Sequence, residues 1–258
     1  MTIPVKKRFV ILCYPRTGSY HLVDKLNQQH GVTCHGELFK PNWVEIDKKY
    51  LPLINYKQAD VAKRDKSPIR FYNEVCAYSE GEWVGFKMFP GHNQSMMAHL
   101  LDSKGILKIF LTRNPIQSHI SLLFAKKTGK WTKTNEASDG TEKITVAVEE
   151  TNLINHYLWQ KNFYEKIKII SKLTNQSVFF MDYNYINDLD KLKNLSSYIA
   201  IHEWRNNNVS KYKKQINRSY QKIVENYNII EKFCAKFDVD LQMDFYQFTE
   251  RIDRMIKN

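Results

Sequence analysis

The stretch "CYPRTGSY" at residues 13–20 follows the apolar run "RFVIL" and sets Arg16, Thr17, Gly18, Ser19 and Tyr20 where a strand should turn into a helix. Such a turn can cradle an anion. Gly18 permits the tight bend, the amides of residues 17–20 point out of the helix start, and Arg16 adds a fixed positive fork. A nucleoside-triphosphate loop reads Gly, four residues, Gly-Lys, then Ser or Thr. Here Cys13 stands at the first glycine position, Gly18 matches the second, and Ser19 and Tyr20 replace the lysine and the magnesium-binding hydroxyl residue. ATP or GTP hydrolysis thereby loses its γ-phosphate lysine and its metal ligand, and only the cradle survives. An ordinary β-to-α turn carries the same local pattern.

A second unit of the same kind follows. Arg113 ends the apolar run "ILKIFLT", and Ser121 comes eight residues later in "NPIQSHISLLFAKK". An arginine with a helical serine two turns on can hold a second phosphate, so the two units together describe a ligand with two separated anionic groups and no metal. Glu37 in "CHGELF" closes a second strand and is the candidate general base for a hydroxyl; its bland counterpart is a solvated loop carboxylate. His92, after "GFKMFP", is the reserve base. His35 is placed to orient Glu37 or an acceptor, Lys87 ends a strand, and Trp131 offers a flat stacking face inside a polar loop.

These residues need a frame that brings strand ends together. Short apolar runs at "RFVILCY", "VTCHGE", "EWVGFKMF", "ILKIFLT" and "SVFFMDY" alternate with helical patterns, which argues for a parallel sheet covered on both faces with ligands at its carboxyl edge. Asn114 and Pro115 begin one helix, Ser67 and Pro68 another. Residues 40–65 show no assignable pattern, and 128–145 is expected to be a mobile polar loop. Tyr157, Trp159 and Phe163 are expected in the core. Residues 209–258 are expected to be a helical segment, with one long basic helix through "SKYKKQINRSYQKIVENYNIIEKFCAKF". The whole of 1–258 is expected to form a single domain.

Composition narrows the partners. A net charge of +12 over 258 residues implies an anionic partner, yet no recognition helix, zinc finger or RNA-binding signature is visible, so nucleic acid is not the expected one. Four scattered cysteines with no C-x-x-C pair read as reduced structural thiols. The chain lacks an apolar signal core and an uninterrupted span of eighteen apolar residues. It is therefore expected to be soluble and cytoplasmic, without stable membrane insertion.

The loop, the Arg-Ser pair and their order resemble the sulfotransferases that use 3′-phosphoadenosine 5′-phosphosulfate (PAPS) and release 3′-phosphoadenosine 5′-phosphate (PAP). "YPRTGSYHLVDKL" is similar to their 5′-phosphosulfate loop and "LTRNPIQSHISLLFAKK" to their 3′-phosphate motif. The arginine in the loop, followed by "CHGELF", looks most like the bacterial carbohydrate and nodulation-factor type. Likeness extends more loosely to "VGFKMF", "SVFFMDYNYINDLDKL" and "KKQINRSYQKIVENY", and leaves 40–65 and 128–145 unmatched. The resemblance implies an α/β fold, a three-layer P-loop-like arrangement with a central mainly parallel sheet flanked by helices. It also implies that Arg16, Thr17, Gly18, Ser19 and Tyr20 hold the 5′-phosphosulfate, that Arg113 and Ser121 hold the 3′-phosphate, and that Lys213 and Lys214 belong to a basic segment closing over the nucleotide. Transfer would go to a hydroxyl of a carbohydrate, glycolipid or other small acceptor without a metal. The spacing of His92 from Lys87 departs from the animal members. A nucleotide kinase-like phosphotransferase and a basic nucleic-acid or polyanion-binding protein stay open as alternatives.

Overall fold

The computed structural model describes residues 6–132, 144–201, 204–205, 210–212, 216 and 218–257. Among them, five strands form one parallel sheet in the order β2-β3-β1-β4-β5: β1 (Lys7–Cys13), β2 (Val32–His35), β3 (Trp83–Met88), β4 (Ile106–Thr112) and β5 (Val178–Asp182). The three central strands read as near-continuous apolar runs because both faces of the sheet are covered. Alternate residues serve opposite layers. Val10 and Leu12 of β1 pack with helices α3 (Pro68–Tyr78), α4 (Gln94–Asp102) and α6 (Glu150–Leu173). Phe9, Ile11 and Cys13 pack with α1 (Ser19–Asn27) and α7 (Leu189–Tyr198). This is the three-layer α/β arrangement expected from the sequence.

The connections matter for the site. From β1 the chain crosses by α1 to β2 and returns to β3 through α2 (Val61–Lys66) and α3, then passes to the other side of β1 at β4. Strand order thus reverses between β1 and β4, and the crevice at their carboxyl ends is where an open α/β sheet binds ligands. Helix α5 (Pro115–Thr128) leaves from that crevice, begun by Asn114, whose side chain accepts from the amides of Ile116 and Gln117. Ser67 precedes α3, but its side chain makes no cap bond.

Two expectations fail on packing grounds. The long basic helix is broken into α8 (Tyr220–Ile223) and α9 (Asn228–Phe237), because Val224 is extended and bridges Val146. Val146 N donates to Ile223 O and Glu225 N to Val146 O, while the Asn226 amide bonds both backbone groups of Val148. Partners some eighty residues away in the chain outweigh local helix propensity. A further amphipathic helix, α10 (Phe245–Lys257), follows and packs Phe248 and Ile252 against α9 and α6. Trp159 is not core: the buried stripe of α6 runs through Tyr157, Gln160, Tyr164 and Ile167, and Trp159 lies off it, 62% exposed. No helix of the described residues is long and apolar enough to cross a membrane.

Candidate active site

At the carboxyl end of β1 the chain bends through residues 14–18 and enters α1 at Ser19. Two residues of the bend are left-handed, Arg16 with φ 72° and Gly18 with φ 82°. A side chain on Gly18 would be strained by that φ, and a Cβ there would overlap the Tyr183 ring. Thr17 is fully buried, and its Oγ1 donates to Tyr14 O at 2.9 Å. Tyr14 N donates to Tyr164 Oη, which donates in turn to Leu111 O on β4. The bend is therefore tied to the neighbouring strand, and the first amides of α1, which the helix itself cannot satisfy, face outward from a fixed frame.

Two arginines meet in front of those amides. Arg113 donates through one terminal nitrogen to Arg16 O at 3.0 Å, through the other nitrogens to Gln117 Oε1, and stacks at 4.2 Å over Tyr183. Arg16 Nε donates to Ser121 Oγ at 3.1 Å, and one of its terminal nitrogens to Trp131 O. The two anchors read separately in the sequence are thus joined, with Arg16 spanning from the bend to α5. Burial and the adjacent Arg113 charge lower the Arg16 pKa to about 10, which leaves it cationic at neutral pH.

A cavity of about 940 Å³ opens here, lined on this side by Arg16, Gly18, Ser19, Arg113, Ser121, Trp131 and Tyr183. A second group of lining residues, contiguous with the first through Ser19 and Tyr20, comprises Tyr20, Glu37, Lys40, Asn42, Trp43, Glu45, Lys87 and Phe89. Glu37 Oε1 pairs with Lys87 Nζ at 3.1 Å. Lys87 is fully buried and lies over the Tyr20 ring with Ser19 Oγ at 3.5 Å. Burial lowers its pKa, and Glu37 opposes that shift.

Glu45 is a second carboxylate of this wall. It accepts from Tyr20 Oη at 2.5 Å, from Lys40 Nζ at 3.2 Å and from Glu37 N at 3.4 Å. Burial alone would raise the Glu45 carboxyl, but the Tyr20 hydroxyl, Lys87 and Lys40 hold it below its ordinary value. A Cβ on Gly36 would overlap the Glu45 carboxylate as it lies here.

His92 lies behind Glu37 and is absent from the cavity lining. Phe89 N donates to His92 Nδ1, so the neutral ring carries its proton on Nε2, 3.6 Å from Glu37 Oε2. Burial, with the nearby Lys87 and Arg64 charges, lowers its pKa to about 4. The geometry makes His92 a buried neighbour of Glu37 instead of a base facing the cavity. His35 is likewise absent from the cavity lining: its Nε2 bonds Ser79 Oγ at 2.7 Å and its ring packs edge-on to Tyr50. Lys213 and Lys214 lie outside the described residues, as does most of the 128–145 loop.

Glu45 and Tyr183 were not singled out in the sequence. Tyr183 was within reach, since it follows β5 at the ligand edge. Glu45 was not, because it sits in an irregular stretch whose backbone course no local pattern sets. The glycine of "CHGELF" signals a close approach, but not by which residue.

No family model matches the chain. Nodulation protein H of Rhizobium tropici is 28% identical over 157 residues, which make up 58% of this chain and 58% of that protein. The chain therefore matches somewhat more than half the length of that relative. Among solved structures, a sulfotransferase domain from the curacin biosynthetic pathway superposes with a TM-score of 0.52 at 12% identity, covering 98% of each chain. A sulfotransferase from Alicyclobacillus acidocaldarius gives a TM-score of 0.49 at 14% identity, covering 99% of this chain and 97% of that one. The chain has the fold of the curacin-pathway domain.

Proposed function

We propose that the protein is a PAPS-dependent sulfotransferase that moves a sulfuryl group to a hydroxyl of a carbohydrate or other small acceptor. The observation that carries this reading is one cavity with two unlike walls: two arginines and a helix start on one side, a lysine-paired carboxylate on the other. Arg16 and the amides of residues 17–20 hold the 5′-phosphosulfate, and Arg113 with Ser121 holds the 3′-phosphate. Taking both anchors requires the ligand to displace the bond between Arg16 and Ser121. The fold of a sulfotransferase domain and the kinship with a nodulation protein support the assignment.

In the proposed reaction the acceptor oxygen forms a bond to sulfur as the bond from sulfur to the phosphate oxygen breaks, and PAP leaves. Glu37 takes the acceptor proton, with Lys87 beside it balancing charge. Arg16 and the loop amides stabilise the charge that grows on the departing phosphate. Trp43 and Trp131, both half exposed at the cavity, offer flat faces to an acceptor or a base. Lys213 and Lys214 are assigned to closure over the nucleotide. The four free cysteines support a reducing, cytoplasmic setting.

The test is direct. PAP should raise the thermal midpoint where ATP and AMP do not, and radiolabel should pass from PAPS to at least one member of a panel of uncharged oligosaccharides, unaffected by EDTA. Stabilisation by ATP with magnesium but not by PAP would favour a phosphotransferase. Salt-sensitive polyanion binding undisturbed by saturating PAP would favour a binding protein.

A further inference from the structure

The acceptor wall has no regular structure of its own. Residues 36–45 run through turns and bends, yet this stretch supplies Glu37, Lys40, Asn42, Trp43 and Glu45 to the cavity. An irregular segment that is partly buried must find partners for its carbonyls, and a side chain that supplies several at once sets the course of the segment.

Arg64 on α2 is that side chain. Only 1% of it is exposed, and one of its terminal nitrogens donates to Leu38 O at 3.1 Å, Lys40 O at 2.8 Å and Trp43 O at 3.3 Å. The other two nitrogens make a two-point pair with Asp65 at 2.8 and 3.0 Å. Asp65 Oδ1 also accepts from Asn93 Nδ2 at 3.1 Å. Asn93 begins α4 with its side chain and directly follows His92. One guanidinium and one carboxylate therefore tie the segment that carries Glu37 to the turn that carries His92.

We infer that Arg64 is the positioning residue of the acceptor wall, holding the 38–43 backbone in the course that aims Glu37, Lys40 and Trp43 into the cavity. A planar fork is required for this work. It spends two nitrogens on Asp65 and the third on three carbonyls, an arrangement that a lysine, with a single ammonium on a flexible stem, cannot reproduce. The inference rests on the proposed transfer reaction for its kinetic readout, but not for its structural one.

Arg64→Lys in the full chain tests it by three measurements. Hydrogen exchange followed by mass spectrometry should show amides of 38–46 exchanging about tenfold faster or more, while β1 and α1 keep wild-type rates. PAP affinity by calorimetry should stay within twofold. Transfer from PAPS to the best oligosaccharide of the panel should lose about tenfold or more in kcat, with the KM for PAPS unchanged. If Arg64→Lys does not fold, Asp65→Asn, at a partly exposed carboxylate, should shift the same readouts in the same direction by a smaller factor. Unchanged exchange over 38–46 overturns the inference whatever the chain transfers, and a loosened segment with full transfer overturns the positioning role. Loss of PAP affinity in step with transfer also overturns it, since a general structural defect would move both. A wild-type chain that transfers to no acceptor, while Arg64→Lys still loosens 38–46, counts against the proposed reaction and not against the clamp.

Discussion

On the nucleotide wall of the cavity, Arg113 is held by neutral groups, namely Gln117, the Tyr220 hydroxyl and the Arg16 carbonyl, and Arg16 reaches Ser121 Oγ and the Trp131 carbonyl. On the acceptor wall, each carboxylate meets a lysine: Glu37 pairs with Lys87 and Glu45 with Lys40. Arg113 meets no carboxylate among the described residues, whereas the carboxylates of the second wall are each paired with a lysine. An anionic nucleotide and an uncharged, hydroxyl-bearing acceptor fit that division. The +12 net charge of the chain is therefore a poor guide to the acceptor.

The division can be broken most sharply at Glu37. Replacing it by Gln should lower turnover by about 10²–10⁴-fold, the usual worth of a general base, while calorimetric PAP affinity stays within twofold; a parallel loss of PAP binding would merge the two walls. Next come Arg16→Ala and Arg113→Ala. Each removes charge-assisted hydrogen bonds worth about 1.5–3 kcal/mol, so PAP binding should weaken about 10–100-fold with hydrogen exchange over 36–45 unaltered.

Acid should weaken the frame behind both walls. His92 lies beside Glu37, His35 against Ser79 and Tyr50, His119 on the helix of Ser121 and His156 on α6 against it, and burial lowers the pKa values of His35, His92, His119 and His156 to about 4, 4, 4 and 3. Unfolded imidazoles take up protons near pH 6.5. As the pH falls from there toward 4, the unfolded chain binds more protons than the folded one, and stability present above pH 6.5 is lost. A fall from pH 7 to pH 5 should cost about 2 kcal/mol per ring, roughly 7 kcal/mol for the four, and lower the thermal midpoint by more than about 10 °C. A midpoint that rises toward pH 5 would contradict buried neutral rings.

The smallest effect is expected at the rim. Lys40→Ala breaks a partly exposed ion pair worth about 0.2–1 kcal/mol, so acceptor KM should change by about fivefold at most, with PAP affinity unmoved. A larger change would mean that Lys40 contacts the acceptor directly.

How much of this was legible depended on how far apart in the chain the interacting groups stand. The strands were readable because a parallel sheet buried on both faces demands unbroken apolar runs, as in "RFVILC" and "ILKIFLT". The cradle was readable because its turn chemistry is local: Gly18 at positive φ, then a helix start. The continuous helix over 210–237 was misread because Val146, Val148 and Asn226 form a pairing that no window of the sequence contains. His35 and His92 were misplaced for a related reason. A strand-end position says that a residue is near the ligand edge, but neighbours such as Ser79, Tyr50 and Phe89 decide which way the ring turns.

By itself the sequence determined the five strands, the absence of the loop lysine and metal hydroxyl, and the identity of the two arginines and the serine, because each depends on residues within about ten positions of one another. Tertiary structure alone decided that Arg16 bonds Ser121, that Lys87 is buried against Glu37, and that Glu45 fills the space beside Gly36. It also decided that Arg64 donates to the carbonyls of Leu38, Lys40 and Trp43. Those facts come from pairing buried charges and carbonyls between segments whose relative course no local pattern sets, and only the completed fold brings the partners together.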